Sequence, residues 1–161
     1  MRVIFGGVRG TYCIAQSDYM IYGGDTTSFL VEGDAGERVI IDSGTGIRKV
    51  GQRIEAGKVP SSILLLITHY HIDHIIGLPS LSLLYRGGAK FRVGSVRRNN
   101  RSARDILPQL MAQPFWPVQL EDLESSFDFI DWPTDASIQP YPFGNLEVRW
   151  CSVRHPGGCV P

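Results

Sequence analysis

Three of the four histidines of this 161-residue chain fall within six residues, as His69, His71 and His74, with Asp73 beside the last. Imidazole and carboxylate are the groups that first-row divalent metals take from proteins, at roughly 2.0–2.2 Å. The segment Thr68-His69-Tyr70-His71-Ile72-Asp73-His74 follows directly on the apolar run Ile63–Ile67, which reads as a buried strand. In an extended segment residues two apart point the same way, so His69 and His71 can converge on one point. After Ile72 the chain should turn into a helix, which brings in Asp73 and His74 from a different direction. Two histidines leave a catalytic zinc short of ligands. His155, in Arg154-His155-Pro156-Gly157-Gly158, is the obvious third.

His69, His71 and His155 would make a three-histidine site with a fourth position open to water. A metal held so lowers the pKa of that water from 15.7 to about 7, which generates hydroxide at neutral pH. Asp73 and His74 then point to a second ion roughly 3.5–4 Å away. Zinc is the expected cofactor, as one or two ions, and manganese or iron would also suit imidazole plus carboxylate. A lone histidine such as His155 is more often a satisfied core or surface residue than a ligand. The cluster is different, because three imidazoles and a carboxylate crowded after an apolar strand have no evident packing role.

Asp42 ends a second apolar run, Val39-Ile40-Ile41, and precedes Ser43-Gly44-Thr45-Gly46. Its carboxylate could support a ligand histidine by accepting the second ring N–H. Equally, it could cap a helix that starts near Ile47. Spacing alone leaves both roles open. Cys159, four residues past His155, reads as a turn cysteine before it reads as a ligand. The one concentrated charge is Arg97-Arg98-Asn99-Asn100-Arg101-Ser102-Ala103-Arg104. Its guanidinium forks could grip substrate phosphates, although a run of like charge more often just faces water.

The elements that must position these groups are mostly short strands. Arg2–Phe5, Thr27–Glu32, Arg38–Asp42, Ser62–Thr68, Phe91–Gly94, Phe127–Ile130 and Leu146–Val153 have β-rich composition. The runs Val39–Ile41 and Ile63–Ile67 are apolar throughout, as in strands buried on both faces. Leu146–Trp150 alternates, so one of its faces should be wet. Ile47, Val50 and Ile54, followed by Gly57, predict a short amphipathic helix. A second helix is expected after the histidines, through Leu78, Leu81 and Leu84 to Gly87-Gly88, with Pro79 in its first turn. A third begins at Ser102, with Asp105 reaching back and Pro108 limiting it.

The chain is long enough for one hydrophobic core and hardly for two. Lys plus Arg equals Asp plus Glu at 16 each, so no broad basic surface favours nucleic acid or an anionic membrane. No apolar run is long enough to span a bilayer, and Gly6-Gly7 interrupts Val3-Ile4-Phe5 before a secretory segment can form. The three cysteines, Cys13, Cys151 and Cys159, are odd in number and scattered, which points to a reducing compartment. The expectation is a cytoplasmic protein with no membrane partner.

His69, His71, Asp73 and His74 form a His-x-His-x-Asp-His pattern that resembles the signature of the metallo-β-lactamase superfamily. Ile40-Ile41-Asp42-Ser43-Gly44 resembles that family's first motif, and His155 matches its third. Tyr22-Gly23-Gly24-Asp25-Thr26-Thr27 and Gly7-Val8-Arg9-Gly10 look like the branch that holds ribonuclease Z and cyclic-nucleotide phosphodiesterases. Asp25 departs from an Asn usual in that branch, and Thr11-Tyr12 from a Ser-x-Pro. The resemblance implies an α/β protein with a four-layer αββα sandwich built from two similar halves, the metals lying at the seam. It also implies that residues 1–161 are one incomplete domain, the first half plus the strand carrying the third motif. A bridging Asp and a final His should follow His155, and Pro156–Pro161 contains neither.

By this resemblance His69, His71, Asp73, His74 and His155 are metal ligands, Asp73 also helps orient the nucleophile, and Asp42 supports them. The implied activity is metal-dependent hydrolysis of a phosphodiester or related ester by a metal-bound hydroxide, on a small-molecule or phosphodiester substrate. The competing expectation is a non-catalytic metal-binding domain that self-associates as a homodimer. Such a domain would use apolar surface that the second half of the fold normally covers. A nucleic-acid binder working through Arg97–Arg104 has the least support.

Overall fold

Ile63, Leu64 and Leu65 are fully buried because the strand they form lies inside a sheet covered on both faces. The computed structural model describes residues 1–134 and 139–159. Its strands are β1 (Arg2–Gly7), β2 (Ser28–Glu32), β3 (Arg38–Ile41), β4 (Ser62–Ile67), β5 (Lys90–Val96) and β6 (Ser126–Trp132), followed by a hairpin of β7 (Tyr141–Phe143) and β8 (Leu146–Val148). The first six form one sheet in the order β1-β2-β3-β4-β5-β6. β1, β2 and β3 are antiparallel neighbours, and β3 to β6 run parallel.

The alternation of side chains sorts the core into two faces. Ile63, Leu65, Ile67, Phe91 and Val93 pack with Ile47, Val50, Ile54, Leu78, Leu84 and Leu107 from the helical layer. That layer is built from α1 (Ile47–Glu55), α2 (Ile72–Ile75), α3 (Leu83–Arg86) and α4 (Ala103–Leu110). On the other face Val39 and Leu64 meet Phe143, with Tyr141, Leu146 and Val148 beside it. The β7–β8 hairpin therefore starts a second layer. Its turn is Gly144-Asn145 between the paired residues Phe143 and Leu146, with Gly144 at φ +60°. The parallel strands β3 and β4 finish at the same end of the sheet, which places Asp42 and Thr68–His71 side by side there. In open parallel sheets that end is where ligands bind.

Three expectations from the sequence need correction. The helix expected from the histidines to Gly87 is broken into α2, a 3-10 turn at Leu78–Ser80 and α3. Leu78, Leu81 and Leu84 are all fully buried as their spacing implied. The break comes from Pro79, which cannot donate to a continuing helix. The strand expected over Leu146–Val153 stops at Val148, since β7 offers only three residues to pair with. Further on, Val153 makes an isolated bridge to Cys159 instead. Pro108 lies inside α4 rather than ending it. The strand β7, centred on Pro142, was not anticipated; proline is tolerated there because the two-stranded hairpin leaves its edge unpaired.

Candidate metal centre

Asp42 stands just past β3 in a left-handed conformation, φ +58°, which an aspartate adopts only where its surroundings enforce it. The enforcement is visible. The Ser43 N–H donates to the His74 carbonyl at 2.7 Å, and the Gly77 N–H donates to the Ser43 carbonyl at 2.8 Å. A side chain on Gly44 would collide with the Asp73 carbonyl, and one on Gly77 with the Gly44 carbonyl. Only bare backbone lets the loop after β3 lie this close to α2.

This position lets one carboxylate, 1% exposed, order two imidazoles. It accepts from the Thr68 N–H at 2.8 Å and from the Thr68 hydroxyl at 2.8 Å. It also accepts from His74 Nδ1 at 2.6 Å. A carboxylate can only accept, so the Thr68 hydroxyl spends its proton on Asp42 and its oxygen is left to accept. His69 Nδ1 lies 3.0 Å from that oxygen and must therefore carry the ring proton. Both rings are thereby held as the tautomer with a bare Nε2. Of the two roles open for Asp42, the structure shows it bonded to Thr68 and His74, while Gly46 occupies the N-cap of α1.

The bare Nε2 of His69 lies 3.1 Å from His71 Nδ1, which lies 3.1 Å from His155 Nε2. The three donor atoms all fall within 4.8 Å of one another. Two nitrogens bound to one tetrahedral zinc at roughly 2.0–2.1 Å should be separated by about 3.3 Å. The residues therefore fit a divalent ion. His155 reaches this point from the turn between Val153 and Cys159, closed by the Gly158 N–H donating to the His155 carbonyl at 2.8 Å. His69 is buried, whereas His71 and His155 are exposed.

Asp73 and His74 lie together on α2. Asp73 Oδ2 is 3.6 Å from His74 Nε2 and accepts from the Thr11 N–H at 2.7 Å. Thr11 itself is held at φ +70°. The His74 ring is centred 4.1 Å from that of His69, so this carboxylate–imidazole pair adjoins the three-nitrogen cluster. Among the described residues it brings two donors.

Charge and burial act oppositely on the two imidazoles that Asp42 orders. Burial, then the neighbouring imidazoles His74, His71 and His155, pull the His69 pKa down to about 4. Burial also pulls on His74, but its bond to Asp42 and the charges of Asp42 and Asp73 outweigh it, and its pKa is raised. A neutral His69 at physiological pH is a ligand that needs no proton removed.

Two contributors escape sequence reasoning. Thr68 adjoins the motif, yet nothing in its spacing shows that it relays Asp42 to His69. The Thr11 N–H comes from a loop whose path only the folded chain reveals. A clue was available for the arginine-rich segment: Asn99-Asn100 is a dipeptide that favours positive φ and hence a tight turn. That turn sets Arg98 and Arg101 along a cavity of about 240 Å³ that also touches His69, Tyr70 and His71. Tyr70 is pinned there by its hydroxyl donating to Ser95 Oγ at 3.0 Å.

Comparison with known proteins agrees with this geometry. Residues 21–87, which include Asp42 and the His69–His74 motif, match the metallo-beta-lactamase superfamily. The chain is 32% identical over 112 residues to a ribonuclease Z of Pyrobaculum arsenaticum, covering 68% of this chain and 34% of that protein. It is 30% identical over 131 residues to a ribonuclease Z of Clostridium botulinum, covering 78% of this chain and 41% of that one. The chain thus spans well under half the length of these curated relatives. The crystal structure of the metallo-beta-lactamase fold protein YhfI from Bacillus subtilis superposes with a TM-score of 0.63 at 18% identity, over 98% of this chain and 55% of that one. Residues 21–87 thus carry the match to the metallo-β-lactamase superfamily. The mixed sheet with its helical layer and the start of a second β layer is that family's fold.

Proposed function

We propose that this chain carries the metal centre of a divalent-metal-dependent hydrolase that acts on phosphodiesters or related esters. The observation behind this reading is the convergence of His69 Nε2, His71 Nδ1 and His155 Nε2 from segments 84 residues apart, at separations of 3.1 Å. Zinc suits the nitrogen set, and manganese or iron are compatible with it. A bound ion would supply Lewis acidity and lower the pKa of a water to about 7.

The chain's own residues do the rest. Asp42 and Thr68 keep the proton of His69 on Nδ1, and Asp42 does the same for His74. Asp73, anchored by the Thr11 N–H, turns its carboxylate toward His74 Nε2. There the two offer donors to a second ion, and Asp73 can also hold a water in line. The phosphodiester part of the reading is supported by likeness to proteins named ribonuclease Z. A cytoplasmic setting is supported by Cys13, Cys151 and Cys159 all being free. No described helix is long and apolar enough to cross a membrane.

The test is hydrolysis of a chromogenic phosphodiester by protein reconstituted with zinc or manganese. Turnover above the metal-free background, absent in His69→Ala, is the expected result; wild type no faster than His69→Ala contradicts the reading. A second reading, a self-associating metal-binding domain, draws on β1. Ile4 packs into the helical side, so Val3 and Phe5 point to the other face, where Phe5 is 66% exposed. A stable dimer by light scattering, with metal bound and no hydrolysis, would favour it.

A further inference from the structure

The cavity beside the three imidazoles is bounded in part by Arg98, Arg101, Gly157 and Gly158. Its two arginines are placed by the turn between them. Asn99 and Asn100 have φ values of +48° and +60°. The N–H groups of Arg98 and Arg101 each donate to the other's carbonyl at 2.8 Å. This is the two-residue hairpin turn whose twist suits asparagine, and the residues paired across it send their side chains to one face.

Arg97 and Arg98 then differ sharply. Arg97 points away and donates to Asp131 at 2.9 Å. Arg98 runs under the His155 turn, so close that a Cβ on Gly158 would come within 3.1 Å of its guanidinium carbon. Its Nε and Nη2 are buried with no hydrogen-bond partner among the described residues. Among the described residues no carboxylate lines the cavity. Asp105, the nearest acid along the chain, is engaged by the Ser102 N–H at 2.7 Å.

Buried guanidinium nitrogens with unmet donors are costly, and a dication at the imidazoles would add repulsion. One kind of ligand relieves both: an anion with several oxygens, able to accept from the guanidinium fork while facing the histidines. We propose that this cavity is a phosphate subsite, with Arg98 as its principal donor and Arg101 at its rim. The proposal rests on the phosphodiester reading above and adds which flank of the metal centre receives the phosphate.

Calorimetric titration of inorganic phosphate into the full chain, zinc-loaded and metal-free, tests it. Arg98→Gln should weaken phosphate binding by about tenfold or more. Arg98→Lys, which keeps the charge without the fork, should fall between that variant and wild type. Arg97→Gln should stay within about twofold of wild type, since its side chain is committed to Asp131. Zinc content should be the same in all four proteins. The proposal is overturned if Arg98→Gln binds phosphate as wild type does, or if Arg97→Gln loses as much as Arg98→Gln. Should Arg98→Gln fail to fold, Arg98→Lys carries the comparison, and wild-type affinity there overturns it. If no zinc binds but metal-free phosphate binding still depends on Arg98, the hydrolase reading fails and the subsite stands. Zinc-dependent hydrolysis with phosphate binding indifferent to Arg98 gives the reverse.

Discussion

The carboxylate of Asp42 accepts from Thr68 and His74, and through the Thr68 hydroxyl it also fixes His69. Asp42→Asn keeps the shape but supplies an NH₂ that competes as a donor, so the tautomers of both rings lose their anchor. Zinc affinity should fall by about 10–100-fold, the usual cost of removing a group that orients ligands. Competition with a chromophoric chelator measures it, and unchanged affinity would mean that the network is incidental. The pH dependence of the metal-free chain is a second residue-level consequence. Folded His69 releases its proton near pH 4, whereas in the unfolded chain it does so near the ordinary value of about 6.5. Between these values the unfolded state binds more protons, so stability falls as pH drops. His74, with its raised folded pKa, acts oppositely: its contribution is present below the ordinary value and lost as pH rises through the raised one. Denaturant unfolding of His69→Gln should therefore show a shallower loss of stability from about pH 6.5 to 4 than wild type. Parallel curves would count against a depressed His69.

At the scale of elements, the close approach of α2 to the loop after β3 depends on Gly44 and Gly77. Gly77→Val would push them apart and unsettle Asp42 without touching a donor atom. Lower zinc affinity together with a lower Tm is expected, and an unaltered affinity would show that the loop is free to yield. At the start of α4 Asp105 reaches back to the Ser102 N–H at 2.7 Å. Ser102→Ala should cost about 1 kcal/mol in urea unfolding, as loss of an N-cap commonly does. This cap was legible in the sequence, as were six of the eight strands among the described residues, close to their observed bounds, because apolar periodicity and capping are local signals. The broken helix after the histidines was not, since the burial of Leu78, Leu81 and Leu84 is satisfied equally by one helix or by two short pieces with a turn. The truncated β8 was not legible either, because alternation in Leu146–Trp150 shows which residues can pair and not whether a partner strand is long enough.

For the whole molecule, the parallel strands β3 and β4 bring Asp42 and the histidine cluster to one end of the sheet, and the turn between Val153 and Cys159 brings in His155 from far along the chain. The residue types at this end could be read from the sequence. Their mutual geometry could not, because the His155 turn, the Thr11 contact and the arginine turn are set by tertiary packing. The same packing leaves Phe5 and Val3 open on the face opposite the helices, where self-association would show first. All of it depends on the histidines holding a metal. The most direct measurement is the visible spectrum of the chain reconstituted with cobalt(II) in place of zinc, with metal content determined after dialysis. The account predicts a retained ion with the intense absorption of a low-symmetry, nitrogen-rich site, lost in His69→Ala and in His155→Ala. A chain that retains no transition metal after reconstitution, or whose spectrum is indifferent to both substitutions, would contradict it.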